Sequence, residues 1–188
     1  LFRSRGEIMA KNAAFDSRFD KIEFSSYTRE QVAQIVSLNF KQWPKEACDL
    51  LAVRGGQIIR ECLQIGNKAS RQLAMMKLRD KSATIQQAIA AVGDQMGIDE
   101  YGMSSMQINI LAALHDQPKG MTYPQLAKVI QRTVDELKLV VLPALFLQTS
   151  DQPARIVQTG RLHVTKAGVE ELAKRGLVTQ EAVTQFTE

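Results

Sequence analysis

The sequence contains only two cysteines, Cys48 and Cys62, and two histidines, His115 and His163, among 188 residues. The cysteines lack the Cys-x-x-Cys spacing of zinc and redox sites. Neither histidine has a His, Cys or carboxylate partner at metal-ligand spacing. We therefore predict no metal site and no disulfide framework, and the cysteines fit a reducing cytoplasm.

Long apolar runs are also missing. No stretch approaches the length needed to span a bilayer, and the start lacks the sections of a signal peptide. We predict a cytoplasmic protein without a membrane partner.

A Gly-x-x-x-x-Gly-Lys-Ser/Thr phosphate-binding loop is absent as well. Because the first residue is Leu1 rather than Met, the sequence reads as part of a longer chain.

The composition is that of a globular protein, with 45% hydrophobic and 23% charged residues and a net charge of +4. This charge is unevenly distributed. Residues 1–98 carry 15 Lys and Arg against 10 Asp and Glu, whereas residues 99–188 carry 9 against 10. A modest positive bias favours phosphate-bearing partners but also fits an ordinary globular protein.

The first half has the apolar periodicity of a small helical bundle. Thr28 with Gln31 predicts a capping box that opens the first helix. Trp43-Pro44 predicts the start of the second helix, and Gly55-Gly56 its end. Gly66-Asn67 predicts a break or kink in the third helix.

The second half predicts three short helices followed by a β-hairpin, after a linker from Gly93 to Gly102. We expect Val129 to be buried on the second of these helices and Val140 on the third, which Pro143 kinks or ends. Two alternating apolar stretches flank the Thr159-Gly160 turn and predict the hairpin. This order is the plan of a winged helix. The residues after the closing helix, 179–188, are expected to fray.

The segment from Ala14 to Phe24 places Arg18 between Phe15 and Phe19, just before a short alternating strand from Lys21 to Phe24. Such an arginine is either a surface charge over a packed aromatic pair or a fixed cation for a phosphate group. The segment resembles the arginine finger of AAA+ nucleotide-hydrolysing motors. That resemblance implies that Arg18 acts on the ATP of a neighbouring subunit.

The helices that follow resemble the lid subdomain of the same family, in which an arginine after a glycine-ended helix is the sensor of ATP phosphates. Arg60 occupies a comparable place, with one residue inserted before it, and Arg71 is a second candidate. Ile58 stands at the position of the arginine in the related Arg-Gly-Thr-Pro-Arg element. A solvated helix charge is the alternative interpretation of Arg60.

The second half is similar to the winged helix of RuvB-like AAA+ motors of DNA branch migration. The similarity is carried by the runs from Gly97 to Met103, Gly120 to Ala127 and Leu142 to Gln148, and by Gly160-Arg161 in the wing. It implies a mainly α fold divided into residues 1–24 as the end of the ATPase core, 25–96 as the lid, 97–178 as the winged helix and 179–188 as the tail. It also implies ATP and Mg²⁺ as cofactors, bound mainly by residues outside this sequence, and a homo-oligomeric ring, by resemblance a hexamer, with a possible protein cofactor.

DNA is the expected partner of the winged helix, because residues 117–166 carry seven basic and three acidic residues. Few side chains suit base readout, so we expect contacts with phosphates rather than sequence recognition. The candidate contacts are Lys128, Arg132, Lys138, Arg155, Arg161 and Lys166; scattered solvated charge is the alternative.

Three other functions remain open on the sequence alone. The first is another AAA+ protein, such as a clamp loader or helicase loader, whose winged helix contacts protein. The second is a non-enzymatic DNA-binding regulator, and the third is a protein-interaction adaptor.

Overall fold

The computed structural model describes residues 26–148 and 152–186. The predicted arginine finger Arg18 and the predicted strand from Lys21 to Phe24 lie outside these residues. Within them the chain is mainly helical and has one antiparallel β-hairpin. This confirms the predicted fold class, a helical bundle followed by a winged helix.

A bundle of helices forms the first unit. The predicted capping box is present: the Thr28 hydroxyl accepts from the Gln31 backbone N–H, and the Gln31 side chain accepts from the Thr28 N–H. Pro44 precedes the second helix as its N-cap residue. The helices are α1 (Arg29–Asn39), α2 (Lys45–Arg54), α3 (Ile59–Arg79) and α4 (Ile85–Gln95).

One apolar cluster holds these helices together. It follows the predicted periodicity, because the buried residues recur at three- and four-residue intervals on α1, α2 and α4. Its fully buried larger members include Val32, Val36, Leu51, Ile65 and Ile89. The cluster is separate from that of the second unit.

The α3 helix runs without interruption through Gly66 and Asn67, so the predicted break is wrong. Glycine inside a helix costs about 1 kcal/mol relative to alanine. Here its small size is needed, because a Cβ on Gly66 would lie 2.5 Å from Cζ of Phe40. The Phe40 ring also stacks on Trp43, with 4.2 Å between the ring centroids. Close packing explains this glycine.

The second unit has the predicted winged-helix order. The elements are α5 (Ser105–His115), α6 (Tyr123–Ile130), α7 (Val134–Glu136), a π-helical turn (Leu137–Val141), α8 (Leu142–Phe146), β1 (Ile156–Thr159), β2 (Arg161–Val164), α9 (Lys166–Lys174) and α10 (Gln180–Gln185). Capping boxes begin α5 at Ser104 and α6 at Thr122. Residues 134–146 are continuous, and we call them the third helical segment.

The π-helical turn changes which apolar residues of the third helical segment are buried. Leu137 and Val141 are buried as predicted, but Val140 is 71% exposed and Leu139 78%. A π turn has more residues than an α turn, so it moves the following residues around the helix axis. Val129 on α6 is exposed too. The predicted burial of Val129 and Val140 is therefore wrong.

The hairpin packs on the second apolar cluster. Ile156 pairs with Val164 across β1 and β2, and the strands reverse at Gly160. Fully buried members of the cluster include Ile110, Leu114, Leu126, Leu137, Leu145, Ile156 and Leu162.

Residues 179–186, which belong to the segment predicted to fray, contain a capped helix. Thr179 caps α10, since its hydroxyl accepts from the Ala182 N–H, and Val183 is buried in the same cluster. Across the described ranges, no helix has both the length and the apolar character that crossing a bilayer requires.

Candidate nucleic-acid interface

Tyr123, on α6, contacts both strand β1 of the hairpin and the third helical segment. Its hydroxyl donates to Oε1 of Gln158 on β1 at 2.8 Å. The ammonium of Lys138, on the third helical segment, lies 4.6 Å from the centroid of the Tyr123 ring. Because a cation is attracted to the face of an aromatic ring, this contact holds Lys138 beside the hairpin. The sequence pattern did not indicate Tyr123 or Gln158, which are 35 residues apart.

Arg161 is fixed at the start of β2. Its Nη1 donates to the Gly120 carbonyl at 3.3 Å, and the rest of the side chain is exposed. Met121 extends the hairpin, because its N–H and C=O both bond with Leu162. Gly120 has a φ of +68°, and a Cβ there would lie 2.5 Å from the His163 ring. This close approach requires glycine and brings α6 next to the wing.

The remaining predicted contacts lie at several places around the winged helix. Lys128 is exposed on α6, and Lys166 is exposed at the first position of α9. Arg132 pairs with Glu136 at 3.5 Å, so part of its charge is neutralised. Lys138 belongs to the group that it forms with Tyr123 and Gln158, whereas Arg161 bonds to the backbone of Gly120. Within residues 26–148 and 152–186, no hydrogen bond or ion pair joins Lys128, Arg132 or Lys166 to these side chains.

Arg155 is turned into the protein. Its Nη2 lies 3.6 Å from Oε1 of Glu171 on α9, and its side chain is only 18% exposed. The same nitrogen donates to Gln152 at 3.5 Å. These contacts hold α9 against the start of the hairpin. Arg155 therefore binds other parts of the winged helix and does not extend into solvent.

The third helical segment presents few groups that read bases. Its exposed residues are Asp135, Lys138, Leu139, Val140 and Pro143. Only the lysine among them donates hydrogen bonds from its side chain. This fits the prediction that any DNA contact is not sequence specific.

The two candidate lid arginines lie on one side of α3. Arg60 and Arg71 are both exposed and eleven residues apart, which corresponds to about 16 Å along the helix and nearly the same direction around it. Ile58, at the family's sensor position, is the N-cap residue of α3. Arg60 is therefore nearer than Arg71 to the loop between α2 and α3.

A third lid arginine, which the sequence did not single out, joins the two units. Arg54 ends α2 and is only 6% exposed. Its Nη1 donates to the carbonyl of Ile98, in the linker, and to Asp94 at 3.3 Å. Gly93 provides the space, because a Cβ there would lie 2.9 Å from Nη1 of Arg54. Arg54 thus attaches the linker to the bundle.

Arg175 attaches the same linker to the winged helix. Its Nε donates to Oδ2 of Asp99 at 2.6 Å, and its Nη1 donates to Oε2 of Glu171 at 2.8 Å. The Tyr101 ring lies 4.9 Å from the guanidinium carbon. We call the contacts of Arg54 and Arg175 with the linker the arginine clasp. Asp99 and Arg175 are 76 residues apart, so no local pattern predicts their contact.

The two carboxylates that bind Arg175, Asp99 and Glu171, favour their charged forms. Burial would raise the pKa of Asp99, but the hydrogen bonds from Arg175, Met103 and Tyr101 outweigh it, and the pKa is lowered. Burial likewise opposes ionisation of Glu171, yet Arg175 and the nearby cations lower its pKa. The pKa of Arg175 is raised, because these bonds outweigh its own burial.

A cavity of about 300 Å³ lies where the two units meet. Val53, Gly56 and Gln57 line it from the lid, and Met103 and Val140 from the winged helix. At its edge the backbones are in close contact: a Cβ on Gly102 would lie 2.0 Å from the Val53 carbonyl oxygen.

Both cysteines are buried thiols. Burial raises the pKa of Cys62 to about 12, and burial together with Asp49 raises that of Cys48. Neither is a reactive thiolate at neutral pH. Among the described residues, no group of three or more His, Cys, Asp or Glu side chains is placed to hold a metal ion.

Comparison with solved structures identifies the fold. The Holliday junction branch migration motor RuvB of Thermotoga maritima superposes with a TM-score of 0.63 and 18% sequence identity, over 84% of this chain and 53% of the other. A variant of the same protein gives 0.63 and 17%, with 52% of its chain covered. The present chain has the fold of the C-terminal portion of RuvB.

The chain spans about half the length of the RuvB chains that it matches. No family model matches its sequence, and no curated protein matches it either. At 18% identity the likeness concerns the fold, and individual side chains must be judged from their own contacts.

Proposed function

We propose that the chain is the lid and winged-helix part of a RuvB-like AAA+ motor that acts on DNA during branch migration, recombination or replication. The observation that carries this proposal is the fold, in which a lid bundle and a winged helix follow one another as in RuvB. In this proposal the lid responds to ATP hydrolysis and the winged helix contacts DNA.

The DNA contacts are assigned to cations that remain available to solvent. Lys138 and Arg161 are first, because the Tyr123 ring holds Lys138 beside the hairpin and the Gly120 carbonyl fixes Arg161 at the start of β2. Lys128 and Lys166 add exposed charge, and Arg132 adds less because of Glu136. Such contacts fix the protein on a duplex without reading its sequence. We leave Arg155 out of this set, since Glu171 binds it.

The nucleotide contacts remain proposals from the resemblance. Arg18 would act in trans on the ATP of the next subunit in a ring, and Arg60, or else Arg71, would touch ATP bound to its own chain. ATP and Mg²⁺ would be held mainly by residues of a longer chain, because no phosphate-binding loop occurs in the present sequence.

DNA binding tests the proposal directly. Fluorescence anisotropy of the chain with a labelled duplex is measured over a range of salt concentrations. The variant Lys138→Gln/Arg161→Gln removes two phosphate contacts. The plot of log K against log salt has a negative slope, and this slope should become less steep by about 1.8. The control Lys41→Gln/Lys45→Gln removes two exposed cations on the lid and should leave the slope unchanged. An unchanged slope in the first variant contradicts winged-helix contact with DNA.

Leu139 and Val140 support a second candidate, in which the winged helix contacts a protein. Their exposure places adjacent apolar side chains on the segment that would enter a major groove. Exposed apolar groups of this kind are more typical of protein-binding surfaces.

A further inference from the structure

The α3 helix carries an excess of positive charge that the fold does not neutralise. Its acidic content is confined to Glu61 in the first turn, and no acidic residue occurs from Cys62 to Arg79. Four exposed cations lie within about 100° around its axis, at three- to eight-residue intervals. We call these residues the α3 stripe: Arg60, Lys68, Arg71 and Arg79.

None of the cations in the α3 stripe forms a salt bridge within the described part of the chain. Asp80, the nearest carboxylate after the helix, instead accepts hydrogen bonds from the N–H and hydroxyl of Ser82. In the winged helix, carboxylates bind Arg132, Arg155, Lys174 and Arg175, whereas the proposed DNA contacts Lys128, Lys138, Arg161 and Lys166 resemble the stripe in having no salt bridge among the described residues.

This arrangement has a cost for the isolated chain. Like charges three or four residues apart destabilise a helix by a few tenths of a kcal/mol per pair, and Lys68 and Arg71 are such a pair. The Lys68 ammonium donates to Sδ of Met96 at 3.6 Å, but this acceptor is neutral, and no carboxylate of the described residues offsets the repulsion. An external polyanion along α3 would do so.

The length and uniform sign of the α3 stripe favour a nucleic acid. From Arg60 to Arg79 the helix rises about 28 Å, close to one turn of B-DNA. A duplex offers one negative charge per about 1.7 Å of its axis, so it provides phosphates along the whole length of the stripe. Protein surfaces usually mix both signs over such a length.

We propose that the α3 stripe is a second DNA-binding site, on the lid, which binds the phosphate backbone independently of the winged helix through Lys68, Arg79 and whichever of Arg60 and Arg71 does not contact ATP. The inference rests on the proposed function for the identity of the polyanion, DNA. It adds a site to which neither the fold nor the sequence pattern assigned nucleic acid.

The test uses the Lys68→Gln/Arg79→Gln variant. Neither residue is a candidate nucleotide contact, both are exposed, and glutamine keeps helix propensity close to that of lysine and arginine. Anisotropy with the same duplex should show that log K falls with log salt less steeply than in the unmodified chain, by about 1.8 in the slope. The control Lys41→Gln/Lys45→Gln, with the same change in charge and also on the lid, should retain the full slope. Circular dichroism melting of both variants checks that the fold is kept.

The outcomes separate this inference from the proposed function. A reduced slope in the α3 variant supports the second site even if Lys138→Gln/Arg161→Gln has no effect, a combination that contradicts only the winged-helix contact. An unchanged slope in the α3 variant overturns the inference, and so does weaker binding without a change in slope.

An acidic protein is the competing occupant, because Met75 and Leu78 lie on the same side of α3 as the stripe and are 63% and 83% exposed. Polyglutamate is therefore added as a competitor at the same concentration of negative charge. Polyglutamate could displace labelled DNA from the unmodified chain as well as unlabelled duplex does, and fail to do so in the α3 variant. The stripe would then be a site for acidic protein, and the inference is overturned. Weaker competition than by duplex supports it.

Discussion

Gly66 allows close packing between helices of the lid because it has no side chain. It lies inside α3, where glycine is unfavourable, and opposite the ring of Phe40 and the side chain of Leu51. The contact joins α1, α2 and α3 at one point. Sequence reasoning interprets a Gly-Asn pair as a chain break, because the neighbour that requires the glycine is 26 residues away. The capping boxes were predictable, since each depends on residues three apart.

Gly66→Ala should therefore destabilise the protein by about 1–3 kcal/mol, because the new methyl group overpacks the Phe40 contact. Urea denaturation measures the change in free energy of unfolding. Asn67→Ala, at the exposed neighbouring position, should stabilise slightly through helix propensity. If both variants were stabilised, Phe40 would not limit the space at Gly66.

At the scale of elements, the third helical segment departs most from its sequence pattern. An α-helical period places Val140 beside Leu137 in the core, whereas the π-helical turn leaves Val140 and Leu139 outside. The apolar pattern still identified the helix and its neighbours correctly. It could not give the side-chain direction, because a π turn is set by tertiary packing.

Replacing Leu139 and Val140 tests what the exposed face does. Leu139→Gln/Val140→Gln should change the free energy of unfolding by less than about 0.5 kcal/mol, since surface substitutions rarely do more. Urea denaturation checks this expectation. A loss above about 2 kcal/mol would instead show that both side chains contribute to the core. The same variant should keep its affinity for duplex DNA if the winged helix contacts phosphates through Lys138 and Arg161.

At the scale of the whole molecule, the arginine clasp determines how the lid and the winged helix are joined. Arg54 and Arg175 hold opposite sides of the linker, and Gly102 brings the two backbones together. The sequence predicted a linker at this place from its glycines. It gave no sign that two arginines fix it, because their partners are 44 and 76 residues away.

The clasp should make stability depend on pH. The lowered pKa values of Asp99 and Glu171 mean that their contribution is complete above their ordinary values of 3.8 and 4.5 and is lost as the pH falls through the lowered ones. Arg175→Ala should cost about 2 kcal/mol at pH 7, because Asp99 loses its only ion-pair partner among the described residues and Glu171 keeps only Arg155 and Lys174. Urea denaturation from pH 7 to pH 3 should show this difference shrink in acid. An equal difference at both pH values would exclude the ion pairs as its source.

Because α3 continues unbroken through Gly66, it can move as one rigid rod. Its first turn borders the cavity between the units, and its last turn lies about 30 Å away. A rotation of about 10° at the Ile59 end would carry Arg79 through about 5 Å, because displacement is the product of arm length and angle. A small angular change at the joint is thus enlarged at the far tip of the lid.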